Sequence, residues 1–129
     1  MVIDTSALAA IFFAEPERQS FLDAMNNAES RQLSAATVLE TGIVLEGRLG
    51  ESAGREFDLF VVRANIDVVP VDAEHQEIAR SAWRRYGKGH HPAALNFGDC
   101  FAYALAKSSG ELLLAKGTAF RQTDIAVYK

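Results

Sequence analysis

Short apolar runs alternate along the chain with longer segments in which apolar residues recur at helical spacing. Between Phe57 and Ala64 the apolar side chains fall at positions i, i+3, i+4 and i+7, which places them on one face of a helix. Val2-Ile3 and Leu112–Leu114 are instead uninterrupted apolar runs, the pattern of strands that are buried on both faces. This alternation predicts an α/β fold with a short, mostly parallel central sheet.

Capping residues, glycine and proline set the bounds of the predicted elements. Strands are predicted at residues 2–3, 31–34, 68–71 and 112–114, with a further candidate at 125–127. Six helices are predicted. One begins at Thr5, three run over residues 17–25, 35–49 and 73–86, one includes residues 57–64, and one lies within residues 95–108. A chain of this length fits a single domain over residues 1–129, with helices on both faces of the sheet.

Three acidic residues lie near the ends of predicted strands or in the first turns of predicted helices. Asp4 follows the first strand directly, Glu40 lies in the second turn of the helix after the second strand, and Asp99 lies at the start of a later helix. Ligands bind beyond the carboxyl ends of parallel strands, so the three carboxylates are expected to converge on one edge of the sheet. Apolar neighbours flank Glu40 and Asp99, which indicates a partly buried site with a compensating cation.

Each acid also has a simple structural interpretation. Asp4 can cap the helix that follows it, Asp99 can complete a capping box with Asn96, and Glu40 can be an exposed helical glutamate. As a set, however, clustered carboxylates repel one another, at a cost of roughly 4 kcal/mol for a pair ~4 Å apart at an effective dielectric constant of about 20. Mg²⁺ removes that cost and prefers oxygen ligands, so the set predicts a Mg²⁺ site.

Composition narrows the function further. The net charge of −4 argues against a protein that coats nucleic acid nonspecifically, although it permits local contacts to one. Zinc-type ligand spacing is absent, and the adjacent His90 and His91 are expected to be solvated or to contact a nucleic acid. The single cysteine, Cys100, is expected to be a buried structural thiol. One cysteine, no apolar span and no signal peptide suit a cytoplasmic protein.

Three segments carry a family pattern: residues 1–7 (MVIDTSA), 35–40 (AATVLE) and 95–100 (LNFGDC). Together they resemble PIN-domain proteins, and more closely the VapC toxins of bacterial VapBC toxin–antitoxin modules. Each segment alone is unspecific, but their order and spacing are specific, and the resemblance extends over essentially the whole chain. It implies a PIN-like three-layer α/β/α fold and a Mg²⁺- or Mn²⁺-dependent endoribonuclease that hydrolyses RNA phosphodiester bonds.

The resemblance also assigns roles to individual residues and implies partners. It makes Asp4, Glu40 and Asp99 the catalytic and metal-binding residues, with the Ser6 hydroxyl in support. It implies inhibition by a VapB-type antitoxin. The apolar run at residues 11–13 and the helix containing 57–64 offer more apolar surface than so short a chain is expected to bury. This surplus predicts a homodimer and a groove for an antitoxin helix.

One position departs from the family pattern. The family has an acid immediately before the phenylalanine of a Lys-Gly-x-Asp-Phe segment, whereas residues 116–120 here read Lys-Gly-Thr-Ala-Phe. Ala119 therefore replaces the fourth carboxylate, and Thr118 offers only a neutral hydroxyl. Asp124 lies nearby but belongs to the family pattern in its own right. The alternative function is a catalytically impaired PIN domain that binds antitoxin or RNA.

Basic residues ahead of the Asp99 segment are candidates for RNA contact. RNA phosphates could be bound by Arg84, Arg85 and Lys88. The two arginines could instead only stabilise their helix through its negative C-terminal end.

A third function, an aspartyl phosphotransferase with Asp4 as nucleophile, is disfavoured because Ser6 replaces the second acid of the usual Asp-x-Asp pattern.

Overall fold

Four short parallel strands form the central sheet in the computed structural model, which describes residues 1–129. They are β1 (Val2–Ile3), β2 (Arg31–Ser34), β3 (Ile66–Val69) and β4 (Leu113–Leu114), in the order β3-β2-β1-β4 across the sheet. Every neighbouring pair is parallel. The carboxyl ends of all four strands therefore lie at one edge, which we call the carboxyl edge.

Six α-helices cover the two faces of this sheet. They are α1 (Thr5–Phe12), α2 (Arg18–Asn27), α3 (Ala35–Leu49), α4 (Glu51–Arg63), α5 (Ala73–Tyr86) and α6 (Phe97–Ser109). Successive side chains of a strand point to opposite faces, so Ile3 and Leu114 join the apolar cluster of α1–α4, whereas Val2 and Leu113 join that of α5 and α6. The predicted three-layer α/β/α fold is confirmed.

Helices that follow strands begin at capped residues close to the carboxyl edge. Asp4 follows β1 and caps α1 by accepting a hydrogen bond from the Ser6 backbone N–H, and Ser34 ends β2 and caps α3 in the same way. Asp72, three residues after β3, caps α5. These caps satisfy backbone donors that the first turn of a helix leaves unpaired, so the chain turns from strand to helix within a few residues.

The predicted strand boundaries differ from the observed ones in three places. β3 begins at Ile66 rather than at residue 68 and ends before Pro70, which has no backbone N–H to donate. β4 does not include Leu112. The candidate strand at 125–127 contributes only one bridge, between Val127 and Leu113. Backbone pairing with the neighbouring strand, which the hydrophobic pattern does not contain, determines these limits.

The apolar surface that the sequence predicts to be in excess is only partly buried. Ile11 lies in the core, and the Phe12 ring packs edge-on against Phe57 with centroids 5.9 Å apart. Leu59 and Val62, on the other side of α4, remain 50% and 76% exposed. The run at residues 11–13 therefore belongs largely to the core, while α4 keeps an uncovered apolar face. No helix combines the length and the apolar character that crossing a membrane requires.

Candidate functional site

The carboxyl edge of the sheet carries the three acids that the sequence predicts as a site. Asp4 directly follows β1, Glu40 lies in α3, and Asp99 lies in the first turn of α6. Helix α6 packs against α3, β1 and β2. The charges of Asp99 and Glu40 act on the Asp4 carboxyl and contribute to its raised pKa, so the fold brings together three acids that are far apart in the sequence.

Asp4 is a buried carboxylate as well as a helix cap. It is 3% exposed, and its Oδ2 accepts hydrogen bonds from the Ser6 backbone N–H at 3.0 Å and from the Ser6 hydroxyl at 2.6 Å. Burial raises the pKa of Asp4 to about 6, the hydrogen bonds from Ser6 oppose that rise, and the charges of Asp99 and Glu40 add to it. The cap thus orients the carboxylate but does not neutralise it.

The Ser6 hydroxyl connects the end of β1 with the loop that follows β4. It donates to Asp4, and its oxygen accepts a hydrogen bond from the Lys116 backbone N–H at 2.9 Å. The Asp4 backbone N–H in turn donates to the Leu114 carbonyl at 2.9 Å. The loop after β4 therefore starts beside Asp4, at the carboxyl edge.

Glu40 is held on both sides of its carboxylate. The Thr5 hydroxyl donates to Glu40 Oε1 at 2.6 Å, and the Thr41 hydroxyl donates to Thr5 Oγ1 at 3.1 Å. The other oxygen, Oε2, lies against the backbone of Gly98, so closely that a β-carbon at this glycine would overlap it. Glu40 is half-buried, which excludes the exposed helical glutamate considered above.

Asp99 is anchored by a capping box at the start of α6. The Asn96 backbone N–H donates to Asp99 Oδ2 at 2.9 Å, and the Asp99 backbone N–H donates to Asn96 Oδ1 at 2.9 Å. Burial raises the pKa of Asp99, the hydrogen bond from Asn96 opposes that rise, and the charge of Glu40 adds to it. The capping role expected from sequence is therefore present, and the same carboxylate also lies within the electrostatic influence of Glu40.

No protein cation compensates these three carboxylates. None of them forms a salt bridge. The Lys116 ammonium, whose backbone lies beside Ser6, binds Glu15 at 3.1 Å and Glu17 at 3.5 Å instead. Each acid keeps one oxygen free of hydrogen bonds within the protein, namely Asp4 Oδ1, Glu40 Oε2 and Asp99 Oδ1.

This donor chemistry suits a hard divalent cation, because every available atom is a carboxylate oxygen. As the side chains are placed, no three acidic, histidine or cysteine residues stand close enough together to hold one ion by themselves. Mg²⁺ commonly retains several water ligands. The residues therefore fit an ion that contacts some of these acids directly and others through water.

A comparison with known proteins decides the family. The PIN domain family profile matches residues 1–126. The chain belongs to the PIN-domain family. A protein of Mycolicibacterium smegmatis named ribonuclease VapC is 56% identical to this PIN domain over 126 residues, which cover 98% of both chains. Ribonuclease VapC30 of Mycobacterium tuberculosis is 52% identical over 126 residues, which cover 98% of this chain and 96% of the relative. The resemblance inferred from the sequence is confirmed.

Solved VapC structures share the fold of this PIN domain. VapC20 of Mycobacterium tuberculosis, described as a toxin that cleaves the sarcin–ricin loop, matches with a TM-score of 0.81 at 18% identity, covering 98% of this chain and 97% of that one. VapBC2 from Rickettsia felis, solved with a DNA fragment from its promoter, matches with a TM-score of 0.76 at 10% identity, covering 98% and 96%. At these identities the likeness establishes the fold alone.

The predicted RNA-contacting residues of the PIN domain fall into two kinds. Arg84 and Lys88 are exposed, at the end of α5 and just beyond it, and form no ion pair. Arg85 instead pairs with Asp124 at 3.6 Å, and its guanidinium lies 4.9 Å from the centre of the Tyr86 ring. The ion pair of Arg85 with Asp124 is a structural role that the sequence did not predict.

Asp124 belongs to that structural cluster. Its carboxylate accepts hydrogen bonds from the Tyr103 hydroxyl at 2.6 Å and from the Lys107 ammonium at 2.8 Å. Although burial acts to raise it, these bonds and the charges of Lys107 and Arg85 lower the pKa of Asp124 to about 2. This carboxylate is therefore not available to replace the acid that the family pattern has in place of Ala119.

Residues 118 and 119 bring no charge to the loop after β4. Thr118 is exposed, and its hydroxyl has no hydrogen-bond partner in the protein. Ala119 is half-buried and packs against the apolar cluster of α5 and α6. The loop begins beside Ser6, yet residues 118 and 119 contribute only a methyl group and a free hydroxyl.

The cysteine and two of the histidines stabilise local structure. Cys100 is buried, as expected. Burial, together with the charge of Asp99, raises the pKa of its thiol to about 11, so this thiol is a poor nucleophile at neutral pH. His91 Nδ1 accepts a hydrogen bond from the Ala93 backbone N–H at 3.0 Å, and His90 packs edge-on against the Trp83 ring.

Three residues around Glu40 were not predicted from the sequence as part of the site. Thr5, Thr41 and Gly98 are direct sequence neighbours of Asp4, Glu40 and Asp99 respectively. Threonine and glycine within a helical segment are ordinary features of sequences. Only the packing of α3 against both α1 and α6 gives these three residues a common role.

Proposed function

We propose that this single PIN-like domain of residues 1–129 is a metal-dependent endoribonuclease and the toxin of a type II toxin–antitoxin system. The observation that carries the proposal is the set of three uncompensated carboxylates, from Asp4, Glu40 and Asp99, at the carboxyl edge. Relatives 56% and 52% identical to the chain are named VapC ribonucleases, which supports hydrolysis of RNA phosphodiester bonds as the reaction.

Mg²⁺, or Mn²⁺ in its place, is the cofactor that this acid set favours. When bound there, such an ion would supply orientation of the scissile phosphate, a lower pKa for the attacking water and stabilisation of developing negative charge. Asp4 and Asp99 would be its main ligands, directly or through water, because backbone N–H groups at helix N-termini hold their carboxylates and one oxygen of each stays free of protein hydrogen bonds. Glu40, which also keeps one oxygen free, would bind the ion or orient the attacking water.

The protein orients these acids before any ligand arrives. Ser6 holds Asp4 through two hydrogen bonds, and the capping box holds Asp99. Little side-chain freedom is then lost when an ion and a substrate bind, which favours a productive arrangement of the reacting groups. Arg84 and Lys88, exposed and free of ion pairs, are proposed to bind RNA phosphates, which position a strand without reading its bases.

Cleavage of end-labelled RNA tests the proposal. The parent protein is incubated with Mg²⁺, with Mn²⁺ and with EDTA, beside Asp4→Asn and Asp99→Asn variants purified in the same way. Cleavage by the parent is expected with either ion and not in EDTA. The cleavage rate of each variant is expected to be lower than that of the parent by about 10–100-fold. A Glu40→Gln preparation controls for contaminating nuclease. Cleavage that persists in EDTA, or full activity in Asp99→Asn, would refute the proposal.

The alternative is an impaired PIN domain that binds antitoxin or RNA without efficient cleavage. Ala119 favours it, because the loop that starts beside Asp4 carries no carboxylate and Asp124 is bound to Lys107 and Tyr103. Three acids still suffice for one ion that keeps water in its remaining positions. We therefore propose weak, metal-dependent cleavage rather than its complete absence.

Restoring the fourth acid tests this alternative. Ala119→Asp adds a negative charge and an oxygen donor to the loop after β4, and the loss of such a supporting group typically costs about 10–100-fold in metal affinity or activity. Ala119→Asp is expected to gain activity by about that factor, whereas the Ala119→Asn control, which adds the same shape without the charge, gains little. Equal cleavage by the parent and Ala119→Asp would show that this loop does not serve the metal site.

The proposed partners are a VapB-type antitoxin and a second copy of the chain. Several large apolar side chains on α3, α4 and α6 remain at least half exposed, among them Leu39, Ile43, Leu59, Val62 and Phe97. Exposed apolar surface of this kind marks interaction sites. The Rickettsia felis relative is described as a VapBC complex. We propose that an antitoxin helix lies in an apolar groove near the acids, with an arginine reaching the uncompensated carboxylates.

A further inference from the structure

Glu40 is attached differently from the other two acids of the site. Asp4 and Asp99 have short side chains that accept hydrogen bonds from backbone N–H groups at helix N-termini. Glu40 lies inside α3 on a longer side chain, and no backbone N–H donates to it. Its carboxylate can be directed only by side chains and by neighbouring backbone, so the contacts around it determine where it points.

One contact is the hydroxyl of Thr5. Thr41 is fully buried and donates its own hydroxyl proton to Thr5 Oγ1, which leaves the Thr5 proton directed at Glu40 Oε1, 2.6 Å away. Hydrogen bonds to an ionised acceptor are short and about twice as strong as those between neutral groups. Thr5 is also buried, so water has little access to take over this role if the hydroxyl is removed.

The other contact is the backbone of Gly98. A β-carbon at this position would overlap both carboxylate oxygens of Glu40 and its carboxyl carbon. Gly98 lies within the first turn of α6, where glycine has a lower intrinsic helix propensity than alanine. The close approach of Glu40 gives a reason for a glycine at this position.

We propose that Thr5 and Gly98 are positioning residues that aim the Glu40 carboxylate at the space shared with Asp4 and Asp99. Thr5 binds one oxygen, and the absence of a side chain at Gly98 leaves room for the other. Neither residue supplies a metal ligand in this arrangement. This inference rests on the proposed function, in which Glu40 binds the ion or orients the attacking water.

Gly98→Ala tests the proposal because the added methyl group must displace the Glu40 carboxylate. Gly47→Ala is the matched control, since a β-carbon added at this glycine of α3 would meet no atom within 4 Å. Both variants are expected to remain folded, because the helix propensity of alanine offsets part of the cost of the hydrogen bond that Gly98→Ala removes between Thr5 and Glu40. Only Gly98→Ala is expected to lose about 10–100-fold in kcat and in Mn²⁺ affinity, with a smaller change in KM.

Thr5 is tested by substitutions that separate its hydroxyl from its shape. Thr5→Val keeps the volume but removes the donor, and it is expected to lower kcat and Mn²⁺ affinity by about 10–100-fold, whereas Thr5→Ser restores most of both. In a Glu40→Gln background, Thr5→Val and Gly98→Ala are each expected to cost little more, because they act through Glu40. Mn²⁺ binding is measured calorimetrically on the full chain without RNA, so the test does not depend on a high cleavage rate.

The outcomes separate this inference from the proposed function. If Glu40→Gln matches the parent in both cleavage and Mn²⁺ binding, Glu40 has no part in the site, and the proposed function fails in that respect together with the inference. If Glu40→Gln loses activity while Gly98→Ala and Thr5→Val both keep it, the proposed function stands and the inference is overturned. Losses in both positioning variants, with Gly98→Ala still fully folded at the assay temperature, support it.

Discussion

At the scale of single residues, Asp4 shows how a structural role and a functional one coincide. An ionised carboxylate at a helix N-terminus is favoured by the dipole of the helix. Asp4 caps α1 in this way, yet burial outweighs the cap and raises its pKa to about 6. The folded protein therefore holds a charge at neutral pH that is unfavourable until a cation binds.

Asp4→Asn is expected to stabilise the metal-free protein at neutral pH. The pKa of Asp4 rises from an ordinary value of 3.8 to about 6 on folding. The folded state then binds the proton more tightly than the unfolded chain does, so the contribution of Asp4 to stability is lost as the pH rises through this interval. The shift corresponds to roughly 3 kcal/mol.

Urea unfolding of the parent and Asp4→Asn in EDTA, at several pH values, measures this effect. The substituted asparagine can still accept the hydrogen bonds from Ser6, so the two proteins are expected to be about equally stable near pH 3.5 and to diverge up to about pH 7. Saturating Mg²⁺ is expected to stabilise the parent more than the variant. Identical pH dependence of the two proteins in EDTA would contradict the burial argument.

At the scale of elements, the start of α6 links helix formation to the site. The capping box that begins this helix uses the Asp99 side chain, so the same hydrogen bonds that end the irregular segment at Asn96 also set the direction of an acid. A change in the cap should therefore affect both stability and metal binding.

Asn96→Ala is expected to lower stability by about 1 kcal/mol, the usual cost of removing an N-cap side chain. The Asp99 backbone N–H loses its acceptor, while the backbone N–H of residue 96 that donates to Asp99 remains. Metal affinity should consequently fall less than in Asp99→Asn. Chemical unfolding and Mn²⁺ titration of the two variants check this order. A larger loss of affinity in Asn96→Ala than in Asp99→Asn would contradict it.

The hydrophobic pattern was sufficient to predict the elements because most of them have one clearly apolar face. The helix over 35–49 and the helix over 73–86 were predicted with the observed bounds, since a capping residue precedes each and glycine follows. β3 was misplaced by two residues because its register depends on pairing with β2, which local sequence does not encode. Likewise, 125–127 reads as a strand but makes only one bridge with β4.

At the scale of the whole molecule, the apolar surface left after folding is concentrated on helices. Val62 on α4 is 76% exposed and Phe97 at the start of α6 is 81% exposed. Single exposed apolar side chains are common, whereas several on adjoining helices indicate an interface. We expect the α4 face to bury part of this surface between two copies of the chain.

Val62→Lys is expected to shift the protein from dimer towards monomer. The substitution places a charge on the apolar face of α4, and an unpaired charge is costly to bury in an interface. Sedimentation velocity measures the shift against the mass of one 14.1 kDa chain. Glu77→Lys, exposed on α5, is the control and should remain dimeric. A monomeric parent at high micromolar concentration would contradict this expectation.

The candidate site could be predicted from sequence only in part. Its acids were found because each follows a strand or lies near the start of a helix in a chain whose pattern indicates a parallel sheet. The residues around them depend on contacts between distant segments, as in the bond from Thr5 to Glu40 or the approach of Glu40 to Gly98. The ion pair of Arg85 with Asp124 is another such contact. Nothing in the local sequence distinguishes these residues from ordinary ones.

The central claim is that three acids from separate segments form one metal site, and anomalous diffraction from a Mn²⁺-soaked crystal tests it most directly. The account predicts a single principal manganese peak at the carboxyl edge, in contact with at least one oxygen of Asp4 or Asp99 and within reach of Glu40 through water. The same peak should be absent from crystals of Asp99→Asn. A peak elsewhere with none at this edge, or equal occupancy in Asp99→Asn, would contradict the account.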